Sequence, residues 1–283
     1  MEFLDTPFTA WFGVILGGAA AGAMNALAGG GTFFSFPALL AAGLPPVVAN
    51  ATNSVALWPA SLFTAWAYRH ELRRYAHHLV VMVVIALIGG ALGAVLLLFT
   101  PNRTFATLIP WLLLFATLLF AAAPRINRWL TKQRQTAASA ISPQPLAEKR
   151  NDTVIAPPGS SIAHPGARLF QFFVAIYGGF FGAGMGIVMI AAIALQRIED
   201  IHEIQALKNL LSAAIYTVAA ATFVIGGAVS WPHLVVTAMS ASVGGYLAGR
   251  VARRLPAKWL RTFVLFVGTA LTCYYFVSVY GAP

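Results

Sequence analysis

Two glycine-rich breaks interrupt apolar stretches, one in each half of the chain, and both could bind an anion. The first break comprises residues 28–32 (AGGGT), and the second comprises residues 182–186 (GAGMG). Glycine lets the main chain approach a ligand closely, and N–H groups freed at a break can donate to an oxyanion. A half-helix that starts there adds partial positive charge at its N-terminus. The spacing predicts that Thr32 and Ile187 begin such half-helices.

The break residues predicted to contact the anion are Gly29, Gly30, Gly31, Thr32, Gly184 and Gly186. Glycines in membrane helices also permit close helix packing, and this alternative stays open for each of them. The pairing of two breaks at similar positions in the two halves favours the site, because matched interruptions of this kind indicate the binding site of a transporter.

Polar residues that follow each break could complete the site. In the first half they are Thr52, Asn53 and Ser54. Asn53 lies 22 positions after Gly31, and Asn209 lies 23 positions after Gly186, so we interpret the two asparagines as repeat-related partners. Their amides, like the hydroxyls, can donate to an oxyanion. Hydrogen bonding between membrane helices is the alternative role of these side chains.

Lys208 is the most specific single candidate because a long uncharged stretch follows it. No Asp, Glu, Lys or Arg occurs from residue 209 to residue 249. A charge inside the membrane is costly and indicates function, and the ammonium could pair with a transported anion. Alternatively, the side chain snorkels to the cytoplasmic headgroups from a helix that starts near Ile204. The sequence supports both interpretations.

Composition indicates a membrane protein with several spans. Only 9% of the 283 residues are charged and 59% are apolar, whereas a soluble domain has about 25% charged residues. The net charge of +10 comes mostly from residues at the ends of apolar segments, which makes it a topology signal rather than a nucleic-acid surface. No HExxH, CxxC or GxSxG pattern occurs, so the sequence predicts neither an enzyme nor a cofactor.

Basic clusters and turn positions predict an all-α protein with two inverted repeats. The predicted repeats are residues 1–124 and 168–283, joined by a cytoplasmic polar linker at 125–167 whose composition predicts a flexible tether. The predicted spans are 47–68, 79–99, 104–124, 205–228, 232–250 and 258–280. The segment pairs 9–28 with 32–44 and 169–182 with 187–196 form either re-entrant hairpins or a full span plus a half-helix. Either arrangement fits a total of about eight membrane segments, the number that the family resemblance described below implies.

The motifs around the breaks resemble those of the sulfite exporter TauE/SafE family. The first copy comprises Gly29-Gly30-Gly31-Thr32, Pro37, Leu39-Leu40, Gly43-Leu44, Ala49-Asn50-Ala51-Thr52-Asn53-Ser54 and Tyr68-Arg69. A degenerate second copy comprises Gly182-Ala183-Gly184-Met185-Gly186 and Ala206-Leu207-Lys208-Asn209. The resemblance covers both halves and implies a multi-pass protein of the bacterial inner membrane that moves sulfite, sulfoacetate or related small organosulfur anions.

The sequence therefore predicts an alternating-access transporter for a small anion, with membrane lipid and no nucleic acid as its other partners. Coupling to protons is a hypothesis. The alternatives are a channel, a transporter for another small anion such as a carboxylate, an intramembrane enzyme and a membrane scaffold. The oligomeric state does not follow from these patterns.

Overall fold

The computed structural model describes residues 7–27, 30–69, 72, 76–140, 165–195, 201–251 and 257–281. Within these ranges all regular structure is helical. The helices are α1 (Phe8–Leu27), α2 (Thr32–Ala41), α3 (Pro46–Ala67), α4 (Ala76–Phe99), α5 (Asn102–Ala140), α6 (Pro165–Phe180), α7 (Met185–Ala194), α8 (Ile201–Ile225), α9 (Trp231–Val251) and α10 (Ala257–Tyr280). The prediction of an all-α membrane protein is confirmed.

Long apolar stretches form the helices where the sequence predicts them. Helices α3, α4, α8, α9 and α10 coincide with predicted spans to within a few residues. In the described part of the chain, five helices are long and apolar enough to cross a membrane. Their apolar windows are Phe8–Asn25, Leu79–Phe99, Asn102–Arg125, Glu203–Ile225 and Thr262–Tyr280. Helices α2 and α7 have 10 residues each, about 15 Å of helix, which is half the thickness of a hydrocarbon core.

The prediction of a flexible linker is wrong for residues 125–140, which are helical. Helix α5 continues through Pro124 and ends at Ala140, because residues 125–140 are mostly Ala, Arg, Gln, Leu and other residues that favour helix. Helix α6 begins at Pro165, and its proline occupies the first helical position, where a missing N–H costs nothing. The rest of the predicted linker lies outside the described residues.

The two halves interleave. Helix α1 packs chiefly on α9, and α6 packs chiefly on α4, so the first helix of each half contacts the fourth helix of the other half. Helices α3 and α8 pack on each other, as do α5 and α10. Corresponding helices thus have corresponding partners, and the interior of the protein is built jointly by both halves.

Small residues set the close approach of α1 and α9. A Cβ atom on Gly22 would overlap the main chain of Ala241, and one on Gly244 would overlap the carbonyl group of Ala19. Backbones approach this closely only where no side chain separates them, as at glycine-rich interfaces of membrane helices. The α1–α9 contact therefore holds the halves together through shape rather than through charge.

Candidate functional site

The first break forms a tight turn into α2. Gly31 is the N-cap residue, and α2 begins at Thr32, as the spacing predicts. A Cβ atom on Gly31 would lie 2.5 Å from the carbonyl oxygen of Ala21 on α1, so only glycine fits this position. The N–H groups of Phe33 and Phe34 donate to Gly30 and Gly31 at 3.1 and 2.9 Å. Gly29 lies outside the described residues.

A buried polar cluster ties this break to α3. The hydroxyl of Ser35 donates to Asn53 Oδ1, and Asn53 Nδ2 donates to Thr32 Oγ1 at 3.5 Å. Thr32, Ser35 and Asn53 are all less than 5% exposed. The structure thus brings together two residues that the sequence predicts for the site, Thr32 and Asn53, and adds Ser35 on the same face of α2.

The two other polar residues predicted on α3 have structural partners. Thr52 Oγ1 accepts a hydrogen bond from the Ser230 main-chain N–H at 3.0 Å, at the start of α9. Ser54 Oγ donates to the carbonyl oxygen of Asn50, one turn earlier in the same helix, at 2.9 Å. Each hydroxyl can still take part in further hydrogen bonds. Their observed bonds match the interhelical and local roles of such residues in membrane helices.

The second break has left-handed backbone and starts α7 earlier than expected. Gly184 is the N-cap residue with φ of 72°, and Gly182 has φ of 78°. The prediction that Ile187 begins this half-helix is wrong, because α7 begins at Met185, directly after Gly184. A left-handed residue reverses the chain sharply enough that helical geometry resumes at once. The Met185 and Ile187 N–H groups donate to Gly182 and Gly184 at 3.2 and 3.0 Å.

Lys208 lies beside the start of α7. Its Cδ atom is 3.7 Å from the position that a Cβ atom on Gly186 would occupy. The N–H groups of Met185 and Ile187 on either side of Gly186 each donate a hydrogen bond, whereas the Gly186 N–H has no acceptor within the described residues. The first N–H groups of a helix lack intrahelical partners and carry partial positive charge. In the same described part of the chain no carboxylate is within ion-pair distance of Lys208. A cationic side chain and an N–H group without an acceptor are therefore both found at the start of α7.

The two breaks meet at Tyr216 of α8. The Tyr216 hydroxyl interacts with the side chain of Thr32 at the first break. It also lies 3.2 Å from the position of a Cβ atom built on Gly182 at the second break. Tyr177 donates from its hydroxyl to the carbonyl oxygen of Ala183 and holds the second break in place. One phenol side chain therefore spans the distance between the two glycine-rich turns.

A second link joins the breaks through Asn50 and an aromatic contact. Asn50 Nδ2 donates to the carbonyl oxygen of Phe180 at 2.8 Å, and its Oδ1 atom is buried without a hydrogen-bond partner in the part that the structure describes. The rings of Phe36 on α2 and Phe181 pack edge to face with centroids 5.5 Å apart. The two breaks, together with the side chains of Ser35, Asn50, Asn53 and Tyr216 that contact them, thus form one connected cluster, which we call the junction.

No hydrogen bond joins Asn209 to this junction within the described residues. Its side chain is buried, and it has no hydrogen-bond partner among the described residues. The neighbouring Lys208 is the residue that contacts the second break. The correspondence between Asn209 and Asn53 therefore stays a prediction.

The sequence does not predict Ser35, Asn50 and Tyr216 as residues of the site, although all three belong to the junction. Ser35 could have been found, because it lies three positions after Thr32 and so shares its helix face. Asn50 lies within the motif at residues 49–54, but its partner is 130 positions away. Tyr216 resembles an ordinary aromatic of an apolar helix, and only its tertiary contacts show its position.

A cavity of about 590 Å³ lies between the C-terminal half of α3 and the middle of α8. Its lining residues are Leu62, Phe63, Ala65, Trp66, Arg69, Leu72, Leu210, Ala213, Ala214 and Thr217. None of the residues predicted for the anion site lines it. The described residues also contain no group of three or more side chains suited to bind a metal ion.

Comparisons with known proteins agree with the motifs. A model of the family described as "Sulfite exporter TauE/SafE" matches residues 14–275. A "Probable membrane transporter protein" of Haemophilus influenzae is 22% identical over 90% of this chain and 90% of its own length. The "Probable membrane transporter protein YfcA" of Escherichia coli K12 is 22% identical over 89% of this chain and 84% of its own. No solved structure matches the chain.

Proposed function

Because this chain belongs to the sulfite exporter TauE/SafE family, we propose that it is a secondary transporter of small sulfur oxyanions or organosulfonates. The family and the relatives named as probable membrane transporters identify a membrane transporter. The substrate class, the alternating-access mechanism and the bacterial inner membrane as its location are parts of the proposal.

The position of Lys208 beside Gly186 carries this proposal. An ammonium group and an open N–H at a helix N-terminus both favour a negative ligand. An uncompensated charge at membrane depth is costly, and it is retained where it serves a substrate or ion pathway. Sulfite and sulfonates present several oxygens that accept from such donors. The anion would neutralise Lys208 during its passage.

The first break would supply the other part of the site. Asn53 is hydrogen-bonded to Thr32, and Tyr216 borders both Thr32 and the second break. The substrate-binding residues of the proposal are Gly29, Gly30, Gly31, Thr32, Thr52, Asn53, Ser54, Gly184, Gly186, Lys208 and Asn209. These groups bind through hydrogen bonds and one positive charge, as the recognition of a small oxyanion requires.

We further propose that the halves are inverted repeats that together contribute about eight membrane segments. The reciprocal packing of α1 on α9 and of α6 on α4 supports a two-fold relation between the halves. The half-helices α2 and α7, each too short to span, would lie at the midplane with their N-termini at the site. Rocking of the two halves about this junction would expose the site to each side in turn, with protons as the hypothetical coupling ion.

Transport into proteoliposomes tests the proposed function. Purified protein is reconstituted, and uptake of radiolabelled sulfite is measured for the wild type, Lys208→Ala and Asn53→Ala. We expect both variants to reduce the initial rate by at least tenfold, because each loses a group whose charge-assisted hydrogen bond to the anion has a free energy of about that size. Thr64→Ala is the control, since its exposed hydroxyl donates only to Ala60 in its own helix, and it should transport normally. Wild-type rates in both test variants would reject this site.

The alternative function is a channel or transporter for another small anion, such as a carboxylate. Lys208 and the Gly186 N–H recognise charge and hydrogen-bond acceptors, and neither is selective for sulfur. Competition of sulfite uptake by sulfoacetate, thiosulfate and acetate separates the substrate classes. A channel would conduct without saturation, whereas a transporter saturates with substrate concentration.

A further inference from the structure

We propose that the cavity between α3 and α8 binds an acyl chain of an anionic phospholipid, with the lipid phosphate held by Arg69. The site is separate from the anion site, because none of the proposed transport residues lines it. The proposal concerns a resident lipid and does not depend on the identity of the transported anion.

The lining chemistry fits a hydrocarbon chain. Apart from Arg69 and Thr217, every residue of the lining is aliphatic or aromatic. The Thr217 hydroxyl is already engaged, because it accepts from Trp58 Nε1 at 2.9 Å and donates to the Ala213 carbonyl at 2.7 Å. In the apolar part of the cavity, away from Arg69, a small hydrated anion would lose its water without replacement, at a cost of several kcal/mol (about 2–7 per polar group). The volume of the cavity, about 590 Å³, is within the range of small-ligand pockets.

The cavity lies at membrane depth and opens toward the bilayer. Leu210, Ala213, Ala214 and Thr217, which line it on α8, fall inside the candidate span Glu203–Ile225. On α3, Phe63 and Trp66 border the cavity and are 76% and 68% exposed. Large apolar side chains on the outside of a membrane protein contact lipid chains. A chain can therefore enter the cavity sideways from the bilayer.

Arg69 provides the charge at one end. Its guanidinium group lies over the Trp66 ring, 4.8 Å from the ring centroid, and Nη1 donates to the Trp66 carbonyl oxygen at 3.2 Å. These contacts use one of five N–H donors, and the others can bind a phosphate through two parallel hydrogen bonds. Arg69 follows the end of α3 at Ala67, on the side that the basic residues predict to be cytoplasmic, where anionic headgroups attract basic side chains.

Quenching of tryptophan fluorescence by brominated lipids tests the proposal. Full-length protein is reconstituted in phosphatidylcholine vesicles that contain either brominated-chain phosphatidylglycerol or brominated-chain phosphatidylcholine at equal fractions. The Trp66→Phe variant, measured in parallel, isolates the signal of Trp66. We expect Trp66 to be quenched with about fivefold higher apparent affinity by the anionic lipid, the preference that one basic side chain confers at a membrane surface.

Two variants and one control separate the charge from the cavity. Arg69→Gln should abolish the preference for the anionic lipid, and Ala214→Phe, which fills the cavity, should reduce quenching by both lipids. Arg103→Gln is the matched control, because Arg103 is an exposed arginine near the start of α5 outside the cavity lining, and it should behave as the wild type. Thermal unfolding of each variant confirms that it is folded.

Equal quenching by the two lipids, or an unchanged preference in Arg69→Gln, would overturn the proposal. Soluble glycerol phosphate should leave the quenching unchanged. Displacement by this compound would show that the site takes a free phosphate ester rather than a lipid. Displacement by sulfite would assign the cavity to the transport path, and that result also contradicts a resident lipid.

Discussion

Asn50 of α3 donates from Nδ2 to the carbonyl oxygen of Phe180, the last residue of α6, over 2.8 Å. The last carbonyl groups of a helix have no partner within that helix. A side chain from the first half of the chain therefore caps the helix that leads into the second glycine break. The geometry of the second break thus depends on the placement of α3.

Replacement of Asn50 by alanine should destabilise the protein. The variant leaves a partly buried carbonyl group without its donor, at a cost of about 1–3 kcal/mol. We expect a lower unfolding temperature in detergent, measured by the fluorescence of intrinsic tryptophan. Thr64→Ala on the same helix is the control and should unfold like the wild type. An Asn50→Ala protein as stable as the wild type would show that the cap contributes nothing.

Gly184 and Gly186 of the second break should respond differently to alanine. At Gly184 the left-handed backbone (φ 72°) strains any residue with a Cβ atom by about 1–2 kcal/mol, so Gly184→Ala should lower the unfolding temperature. Gly186 is helical, and a Cβ atom there meets only Lys208 Cδ at 3.7 Å. Gly186→Ala should therefore keep the stability of the wild type, and its sulfite uptake shows whether space beside Lys208 matters. Equal stability losses in both variants would contradict this distinction.

The interleaving of the halves can be tested at the α1–α9 contact. Gly22→Ala places a methyl group on the main chain of Ala241, and such overpacking costs about 1–3 kcal/mol. At Gly13 on α1, nothing lies within 4 Å of the position that a methyl group would occupy. Gly13→Ala should therefore be neutral or stabilising, since alanine favours helix. Comparison of the two unfolding midpoints in denaturant measures the difference. A neutral Gly22→Ala would mean that α1 and α9 do not approach each other this closely.

The hydrogen bond between Trp58 and Thr217 joins α3 to α8. We expect a double-mutant cycle of Trp58→Phe and Thr217→Val to give a coupling of about 0.5–1.5 kcal/mol, the net value of a hydrogen bond. The measurement is the free energy of unfolding of the two single variants and the double variant.

The control pair for this cycle is Trp111 and Tyr280, whose exposed side chains form a longer hydrogen bond of 3.3 Å. A cycle of Trp111→Phe and Tyr280→Phe should give a smaller coupling. Additive effects of Trp58→Phe and Thr217→Val would show that this bond does not hold α3 and α8 together.

Local properties of the chain explain the parts of the fold that sequence analysis predicted. Long apolar runs form helices wherever they occur, because their backbone groups must be satisfied internally in lipid. Glycine clusters break helices through backbone freedom, which is also a local property. The start of α2 at Thr32 follows from such a signal. Helix α5 extends well beyond the predicted span 104–124, because polar residues that favour helix resemble a linker in composition.

The amino-acid sequence by itself determined the membrane class, most of the helix positions and the two breaks. Tertiary structure alone decided that α1 packs on α9, that Tyr216 reaches both breaks, that Asn50 caps α6 and that a cavity lies between α3 and α8. These relations join residues far apart in the chain, such as Asn50 and Phe180, which are 130 positions apart. They depend on how the shapes of helix surfaces fit together, and hydrophobicity in a single helix carries no information about which neighbour fits.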